Sequence, residues 1–141
     1  MSRRTTRDEQ AIAARFSERY AVRSDRVLRS IERSAIGANV GANGYTTIAQ
    51  AQVLITRLAL RPGHRLLDLG AGRGWPGLYI ARRTRCDVVL ADLPKPALVA
   101  AQERALRDGI RARAECVLSS AVALPFRRAS FDAVVHTDVL C

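Results

Sequence analysis

A glycine-rich segment between a predicted strand and a predicted helix carries the strongest chemical signal in the sequence. It reads Leu67-Asp68-Leu69-Gly70-Ala71-Gly72-Arg73-Gly74. Glycine permits positive φ and close approach of a ligand, and the N-terminus of the following helix presents free amide groups to that ligand. Asp92 lies twenty residues beyond Gly72, at the end of the next predicted strand, where a carboxylate can accept both hydroxyl hydrogens of a ribose. The pattern indicates a site for a nucleoside-bearing ligand; a tight turn with a helix-capping aspartate is the alternative.

The spacing of the glycines and the position of Asp68 discriminate between such ligands. The dinucleotide fingerprint is Gly-x-Gly-x-x-Gly, whereas Gly70, Gly72 and Gly74 form Gly-x-Gly-x-Gly. Asp68, two residues before the first glycine, would repel a pyrophosphate and suit a ligand that carries an ammonium and a sulfonium. This favours S-adenosylmethionine over NAD, and the absence of a Gly-Lys-Ser/Thr run excludes a Walker loop.

His136 and Asp138 form a second candidate pair, near the last predicted strand. One residue lies between them, so they share a face if the strand continues that far. Such a pair could serve as a general base and the carboxylate that orients it. A pocket-lining or hydrogen-bonded histidine is the alternative that the sequence favours.

Alternating strand and helix patterns must position these residues. Helices are predicted at 75–83 and 96–108, and strands at 65–69, 87–91, 113–118 and 131–136. Such alternation is typical of a buried, mostly parallel sheet with right-handed crossovers. A doubly wound sheet has about six strands, so we expect an α/β, Rossmann-like fold that is truncated after the fourth strand.

The preceding part of the chain has helical periodicity. Ser24 is a candidate N-cap of the second helix, and Thr47 with Gln50 forms a capping box that opens a third helix. The apolar stripes of the first two helices are Ile12, Phe16 and Tyr20, then Val27, Leu28, Ile31 and Ala35. We predict a helical cap region over 1–60 and a partial sheet domain over 61–141, which together form one continuous domain.

The chain is strongly basic, with 23 Lys and Arg against 13 Asp and Glu and a formal net charge of +10. Because the arginines are scattered along helical polar faces, a solvated surface is favoured over a polyanion-binding patch. We expect no nucleic-acid partner, and any RNA binding should be weak and sensitive to salt.

The cysteines and the hydropathy pattern indicate the cellular compartment of the protein. Cys86, Cys116 and Cys141 are odd in number and include no Cys-x-x-Cys pair, which argues against a disulfide framework or a metal site. No apolar run approaches the ~20 residues of a membrane helix, and the basic, polar run Met1–Glu9 has no apolar segment of the kind found in a secretory signal. These features predict a cytoplasmic protein with no membrane partner and leave the oligomeric state open.

Several segments of the sequence resemble those of a known protein family. The segment Leu66–Gly74 looks like motif I of class I S-adenosylmethionine-dependent methyltransferases, and Asp92 matches the acidic residue after their second strand. The runs Ala123-Leu124-Pro125-Phe126 and Ser130-Phe131-Asp132-Ala133-Val134-Val135 resemble the loop and fourth strand of the small-molecule branch. The resemblance covers about residues 64–140 and implies the Rossmann-like methyltransferase fold, with S-adenosylmethionine as cofactor.

The resemblance also implies roles for individual residues. Asp68 would hold the methionine amino group, Gly70, Ala71 and Gly72 would carry the methionine part, and Asp92 would bind the ribose. Leu93 would pack on the adenine, and His136 would lie beside the methionine or the transferred methyl. The family often has an adenine-binding aspartate where this chain has Ser120, followed by Ala121. Because N-terminal helices often cover the cofactor in this family, the loop with Asn43 and Tyr45 would reach the site; an ordinary interhelical loop is the alternative.

The function expected from these residues is methyl transfer from S-adenosylmethionine to an oxygen, nitrogen or carbon atom of a small molecule. No Asn/Asp-Pro-Pro-Tyr/Phe run follows the fourth strand; the chain has His136-Thr137-Asp138-Val139 instead. The alternatives are a non-catalytic nucleotide- or RNA-binding module, an RNA methyltransferase, and an NAD-dependent oxidoreductase. Fold alone does not decide among them.

Overall fold

The computed structural model describes residues 6–21, 26–42 and 44–138. This part of the chain contains five helices and four strands: three helices come first, and the four strands and the other two helices follow. The helices are α1 (Arg7–Ala21), α2 (Arg26–Ile36), α3 (Ile48–Leu58), α4 (Gly77–Thr84) and α5 (Lys95–Arg107). The strands are β1 (Arg65–Leu69), β2 (Asp87–Asp92), β3 (Ala114–Leu118) and β4 (Ala133–Val135), with a short 3-10 turn at Arg111–Arg113.

The four strands form one parallel sheet in the order β3-β2-β1-β4. β1 is central and pairs with β2 from Arg65 opposite Asp87 to Leu69 opposite Ala91. This register brings the carboxyl ends of β1 and β2 to the same edge, where ligands bind in open α/β sheets. The predicted α/β, Rossmann-like fold is confirmed.

The two faces of the sheet are covered differently. On one face Leu66, Val88 and Leu90 pack in a core cluster with Leu78 of α4 and Leu98 of α5. On the other face the buried residues Leu67, Val89 and Ala91 are covered by side chains of the loop before β4, namely Leu124, Phe126 and Phe131. Each fully buried leucine contributes about 1.5–3 kcal/mol of hydrophobic stabilisation, so β1 and β2 hold the glycine-rich segment on a rigid base.

Local signals set two helix ends as predicted. The Thr47 hydroxyl accepts from the Gln50 N–H at 3.2 Å and the Gln50 amide accepts from the Thr47 N–H at 2.8 Å, which confirms the capping box. Gly109 follows α5 with φ +70°, as expected for a residue just past a helix. The predicted cap at Ser24 lies outside the described residues.

Two predicted elements are shorter in the structure. The helix predicted from Trp75 begins at Gly77, because the turn continues through Pro76. The fourth strand covers only Ala133–Val135, so His136 lies beyond its end instead of within it.

The N-terminal helices lie against the helices of the sheet domain: α1 contacts α5, and α3 contacts α4. The division into a cap over 1–60 and a sheet domain over 61–141 remains a prediction. None of the helices in the described ranges has the length and apolarity needed to cross a bilayer.

Strand β4 forms one edge of the sheet. Among the described residues it pairs only with β1, and Val134 at its centre is 52% exposed. An unpaired edge with an exposed apolar side chain favours pairing with another chain. We expect this chain to self-associate in size-exclusion chromatography with light scattering, and Val134→Lys to reduce association without lowering the melting temperature. A wild-type chain that stays monomeric at all concentrations would contradict this.

Candidate functional site

The site is built around the segment 70–76, which we call the glycine loop. It is anchored to β2, because the Gly70 and Ala71 N–H groups donate to the Ala91 carbonyl at 2.8 and 3.3 Å. Gly70 and Gly72 have φ values of +71° and +52°, a conformation that glycine adopts without strain. The loop therefore lies across the carboxyl ends of β1 and β2 and leads into α4.

Asp92 binds the glycine loop directly. Its Oδ2 accepts from the Gly72 N–H at 2.7 Å, and its Oδ1 accepts from the Leu93 N–H at 2.7 Å. Burial raises the pKa of this carboxyl, and the two backbone bonds oppose the rise. A carboxylate has about four acceptor positions, so Asp92 retains acceptor capacity for hydroxyl groups. The alternative of an aspartate that caps α5 does not hold, because its bonds go to the loop and to Leu93.

Asp68 is the buried charge of the site, with 1% of its surface exposed. Its Oδ2 accepts from the Gly77 N–H, the first residue of α4, at 2.8 Å. Its Oδ1 is also buried and has no hydrogen-bond partner among the described residues. Burial raises the pKa of Asp68 to about 7, the Gly77 bond lowers it, and the nearby charge of Asp92 raises it further. Asp68 itself lines neither of the cavities described below, but an unpaired buried carboxylate oxygen is costly, and a carboxyl with a strongly shifted pKa beside the glycine loop is a candidate for a functional site.

Helix α1 lies over the glycine loop. The Arg73 guanidinium donates to the Tyr20 carbonyl at 2.8 Å and lies 5.5 Å from the centre of the Tyr20 ring. A Cβ atom at Gly72 would lie 2.6 Å from the Tyr20 hydroxyl oxygen. The apolar stripe of α1 predicted from the sequence thus faces the site.

Two adjoining cavities separate α1 from the glycine loop. The first, the α1 cavity, has a volume of about 230 Å³, and the second, the loop cavity, has about 80 Å³. Both are lined by Phe16, Tyr20, Gly70 and Asp138. Asp92, Leu93, Ser119 and Ala121 line the α1 cavity, and Ala71, Gly72 and Trp75 line the loop cavity.

Ser120 bonds a residue that the sequence analysis did not select. Its hydroxyl donates to Glu9 Oε1 of α1 at 2.5 Å. Glu9 in turn accepts from the Thr6 N–H at 2.7 Å, in a capping box at the start of α1. Ser119 and Ala121 on either side of Ser120 line the α1 cavity, whereas the Ser120 side chain joins the loop after β3 to α1.

Asp138 does not orient His136. Its Oδ2 accepts from the Tyr45 N–H, the Thr46 N–H and the Thr46 hydroxyl at 3.0, 3.2 and 3.0 Å. A side chain at Gly44 would collide with this carboxylate. His136 is exposed and does not line either cavity. His136 and Asp138 therefore do not form a pair in the structure. Asp138 instead connects the chain after β4 to the loop before α3 through these hydrogen bonds.

The loop before α3 reaches the site, as the resemblance implied, although through different residues. Ala42 and Gly44 line the loop cavity, whereas the Tyr45 side chain is 84% exposed. Asn43 lies outside the described residues. Trp75 secures the contact, because its indole N–H donates to the Thr46 carbonyl at 2.8 Å while its ring packs 5.4 Å from that of Tyr79.

The two described cysteines, Cys86 and Cys116, lie away from these cavities. Cys86 is buried and Cys116 is half-buried, and burial raises the pKa of both thiols, so neither has the character of a reactive thiolate. Cys141 lies outside the described residues. In the described part of the chain no cluster of three His, Cys, Asp or Glu side chains could hold a metal ion.

Comparison with known proteins agrees with this architecture. Residues 66–141 match a family described as a methyltransferase domain. The methyltransferase GfsG of Streptomyces halstedii is 35% identical over 81 residues, which cover 57% of this chain and 29% of that protein. The ubiquinone/menaquinone biosynthesis C-methyltransferase UbiE of Dinoroseobacter shibae is 36% identical over 76 residues, 53% of this chain and 30% of that protein.

A solved structure shows the same fold. The S-adenosylmethionine-dependent methyltransferase from Thiobacillus denitrificans, in complex with S-adenosyl-L-homocysteine, superposes with a TM-score of 0.61 at 22% identity. The match covers 79% of this chain and 43% of that one. The chain spans about three tenths of the length of the GfsG and UbiE proteins named above.

The sheet, the glycine loop and the acidic residue at the end of β2 define a Rossmann-like methyltransferase fold. The chain belongs to the methyltransferase-domain family, whose members use S-adenosylmethionine. The predicted family resemblance is confirmed.

Proposed function

We propose that this chain forms the cofactor-binding part of an S-adenosylmethionine-dependent methyltransferase that acts on a small molecule. One observation carries the proposal: a buried aspartate with an unpaired oxygen, Asp68, precedes a Gly-x-Gly-x-Gly loop that a second aspartate, Asp92, holds in place. A pyrophosphate beside Asp68 would be repelled, which disfavours a dinucleotide.

The two carboxylates fit opposite ends of such a cofactor. Asp68 Oδ1 would accept from the ammonium of the methionine part, a charge-assisted bond that satisfies the orphaned oxygen. Asp92 would accept from the ribose hydroxyls while it keeps its bonds to Gly72 and Leu93. The backbone of Gly70, Ala71 and Gly72 would lie along the methionine part, since these residues line the loop cavity.

The adenine end would lie in the α1 cavity. Leu93 and Ala121 line this cavity and would pack against the ring. Ser120 would act through its bond to Glu9, which fixes the loop after β3 against α1. Residues 1–60 would then serve as a cap, because Phe16 and Tyr20 close both cavities from above.

When bound, the cofactor supplies an electrophilic methyl group on a sulfonium. The chain positions the reacting groups and excludes water. His136 is proposed to lie on the acceptor side, because it is exposed beyond the end of β4. The small-molecule acceptor is supported by the named relatives, a quinone C-methyltransferase among them.

Asp92→Ala tests the cofactor site. Removing a carboxylate that bonds the glycine loop and the ribose should weaken binding of S-adenosylhomocysteine about ten- to a hundredfold, as expected for hydrogen bonds to a charged group. Isothermal titration calorimetry measures the affinity. Asp87→Ala is a matched control, since Asp87 is exposed at the other end of the same strand.

The proposed function fails if Asp92→Ala, shown by its melting curve to be folded, binds the ligand as tightly as the wild type. It also fails if the wild-type chain binds NAD tightly and S-adenosylhomocysteine not at all.

A further inference from the structure

A third cavity, larger than the two at the glycine loop, lies on the outer side of α4 and α5. Its volume is about 730 Å³, and the segment 38–41 after α2 closes one side of it. Neither Asp68 nor Asp92 lines it. We call it the arginine cavity, because five arginines line it: Arg29, Arg73, Arg82, Arg104 and Arg107.

The acidic side chains of this cavity offset only part of that charge. Glu32 Oε1 accepts from the Val40 and Ala42 N–H groups at 2.7 and 2.9 Å, so this carboxylate is hydrogen-bonded to the backbone of the segment after α2. Asp108 pairs with Arg104 at 3.6 Å. Glu103 is the third carboxylate. Among the side chains that line the cavity, five guanidinium groups therefore outnumber three carboxylates.

Arg104 lies at the base of the arginine cavity and is held in a fixed position. Its side chain is only 12% exposed, and its guanidinium donates to the Val40 carbonyl as well as facing Asp108. Burial lowers the pKa of Arg104, and the charge of Asp108 opposes this. The guanidinium stays charged, so a positive charge is held in place beneath the cavity.

Arg82 and Arg107 supply the available donors. They lie in the last turns of α4 and α5 and are exposed, and within the described ranges neither forms an ion pair. Cations in a last helical turn also complement the helix dipole. The helix dipole does not, however, explain why Arg82 and Arg107, which belong to two different helices, line the same cavity. Planar guanidinium groups bind phosphate and carboxylate through paired hydrogen bonds.

We propose that the arginine cavity is a binding site for a small polyvalent anion, bearing phosphate or carboxylate groups, that is separate from the glycine-loop site. Arg82 and Arg107 bind the anion, and Arg104 adds a fixed charge below it. Arg73 and Tyr20 line both this cavity and the loop cavity; their mutual contact forms the wall between the two.

The test uses inorganic pyrophosphate and citrate as probes, titrated separately into the full chain at constant ionic strength. We expect saturable binding of one or both, and a loss of about tenfold or more in Arg82→Gln/Arg107→Gln. The matched control is Arg127→Gln/Arg128→Gln, which removes the same charge from exposed residues of the loop before β4 and should leave the affinity unchanged. The two probes distinguish a phosphate site from a carboxylate site.

Binding of neither probe, or equal weakening in both double variants, would overturn the proposal, because the charge would then act only as a diffuse field. Displacement of the probe by S-adenosylhomocysteine would overturn the separateness of the site. Binding of an RNA oligonucleotide without either probe would also overturn it. Since the probes are titrated without cofactor, failure of the proposed methyltransferase function leaves this result interpretable.

Discussion

Asp68→Asn is expected to stabilise the ligand-free chain at about pH 8 and to remove most of its affinity for S-adenosylhomocysteine. Burial raises the pKa of Asp68 from 3.8 to about 7. Between these two values the unfolded chain has released the proton while the folded chain retains it, so the contribution of Asp68 to stability falls as pH rises through this window. Asparagine carries no such proton, and the advantage of the variant therefore grows over the same range.

The expected gain at about pH 8 is at most about 4 kcal/mol, since the pKa rises from 3.8 to about 7 and each pKa unit corresponds to about 1.4 kcal/mol. Urea unfolding at several pH values between about 5 and 8 measures it as a difference between variant and wild type. Because an amide has no charge for the ligand's ammonium, we expect affinity to fall about ten- to a hundredfold.

Asp87→Asn is the control for this prediction, because Asp87 is exposed at the start of β2. It should change neither the pH dependence nor the affinity. If Asp68→Asn is less stable than the wild type by the same amount at every pH, the ionised Asp68 carboxylate does not destabilise the ligand-free folded chain, and the prediction is wrong.

Gly77→Ala should destabilise the chain although alanine is the better helix former. In a helix, alanine is favoured over glycine by about 1 kcal/mol. Here a Cβ would lie 2.5 Å from Asp68 Oδ2 and 2.8 Å from Asp68 Cβ. Asp68 belongs to the buried strand β1 and cannot move away, so the bond between Gly77 and Asp68 is lost. We expect a loss of about 2–4 kcal/mol from overpacking and the broken bond.

Chemical denaturation with circular dichroism measures this loss. Gly109→Ala is the matched control: Gly109 has φ +70° but nothing within 4 Å of its added Cβ, so it reports conformational strain alone, about 1 kcal/mol. If Gly77→Ala costs no more than Gly109→Ala, the contact between α4 and Asp68 is not tight.

The parts of the site that are local in sequence could be predicted. The glycine loop and Asp92 are set by one strand–turn–helix unit and the strand after it, so their spacing along the chain already fixes their proximity. The capping box at Thr47 and the glycine after α5 are local for the same reason. The buried state of Asp68 follows from its place in an apolar run.

Contacts between distant segments could not be predicted in this way. The bond of Ser120 to Glu9 joins residues 111 positions apart, and that of Asp138 to Thr46 joins residues 92 apart. Tyr20 belonged to a stripe that periodicity assigns to a core, and only the placement of α1 brings it to Gly72. His136 and Asp138 were paired by proximity in sequence, but the chain turns at Asp138, which has φ +58°.

The placement of α1 has a consequence for the rate at which a ligand exchanges. Helix α1 closes the cavities with Phe16 and Tyr20, yet its apolar side chains remain well exposed: Ile12 by 53% and Phe16 by 37%. An element with so little buried apolar surface opens at much lower free energy than the sheet beneath it. We therefore expect release of a bound molecule to follow the local opening of this helix, so that residues of α1 that do not touch the ligand change its residence time.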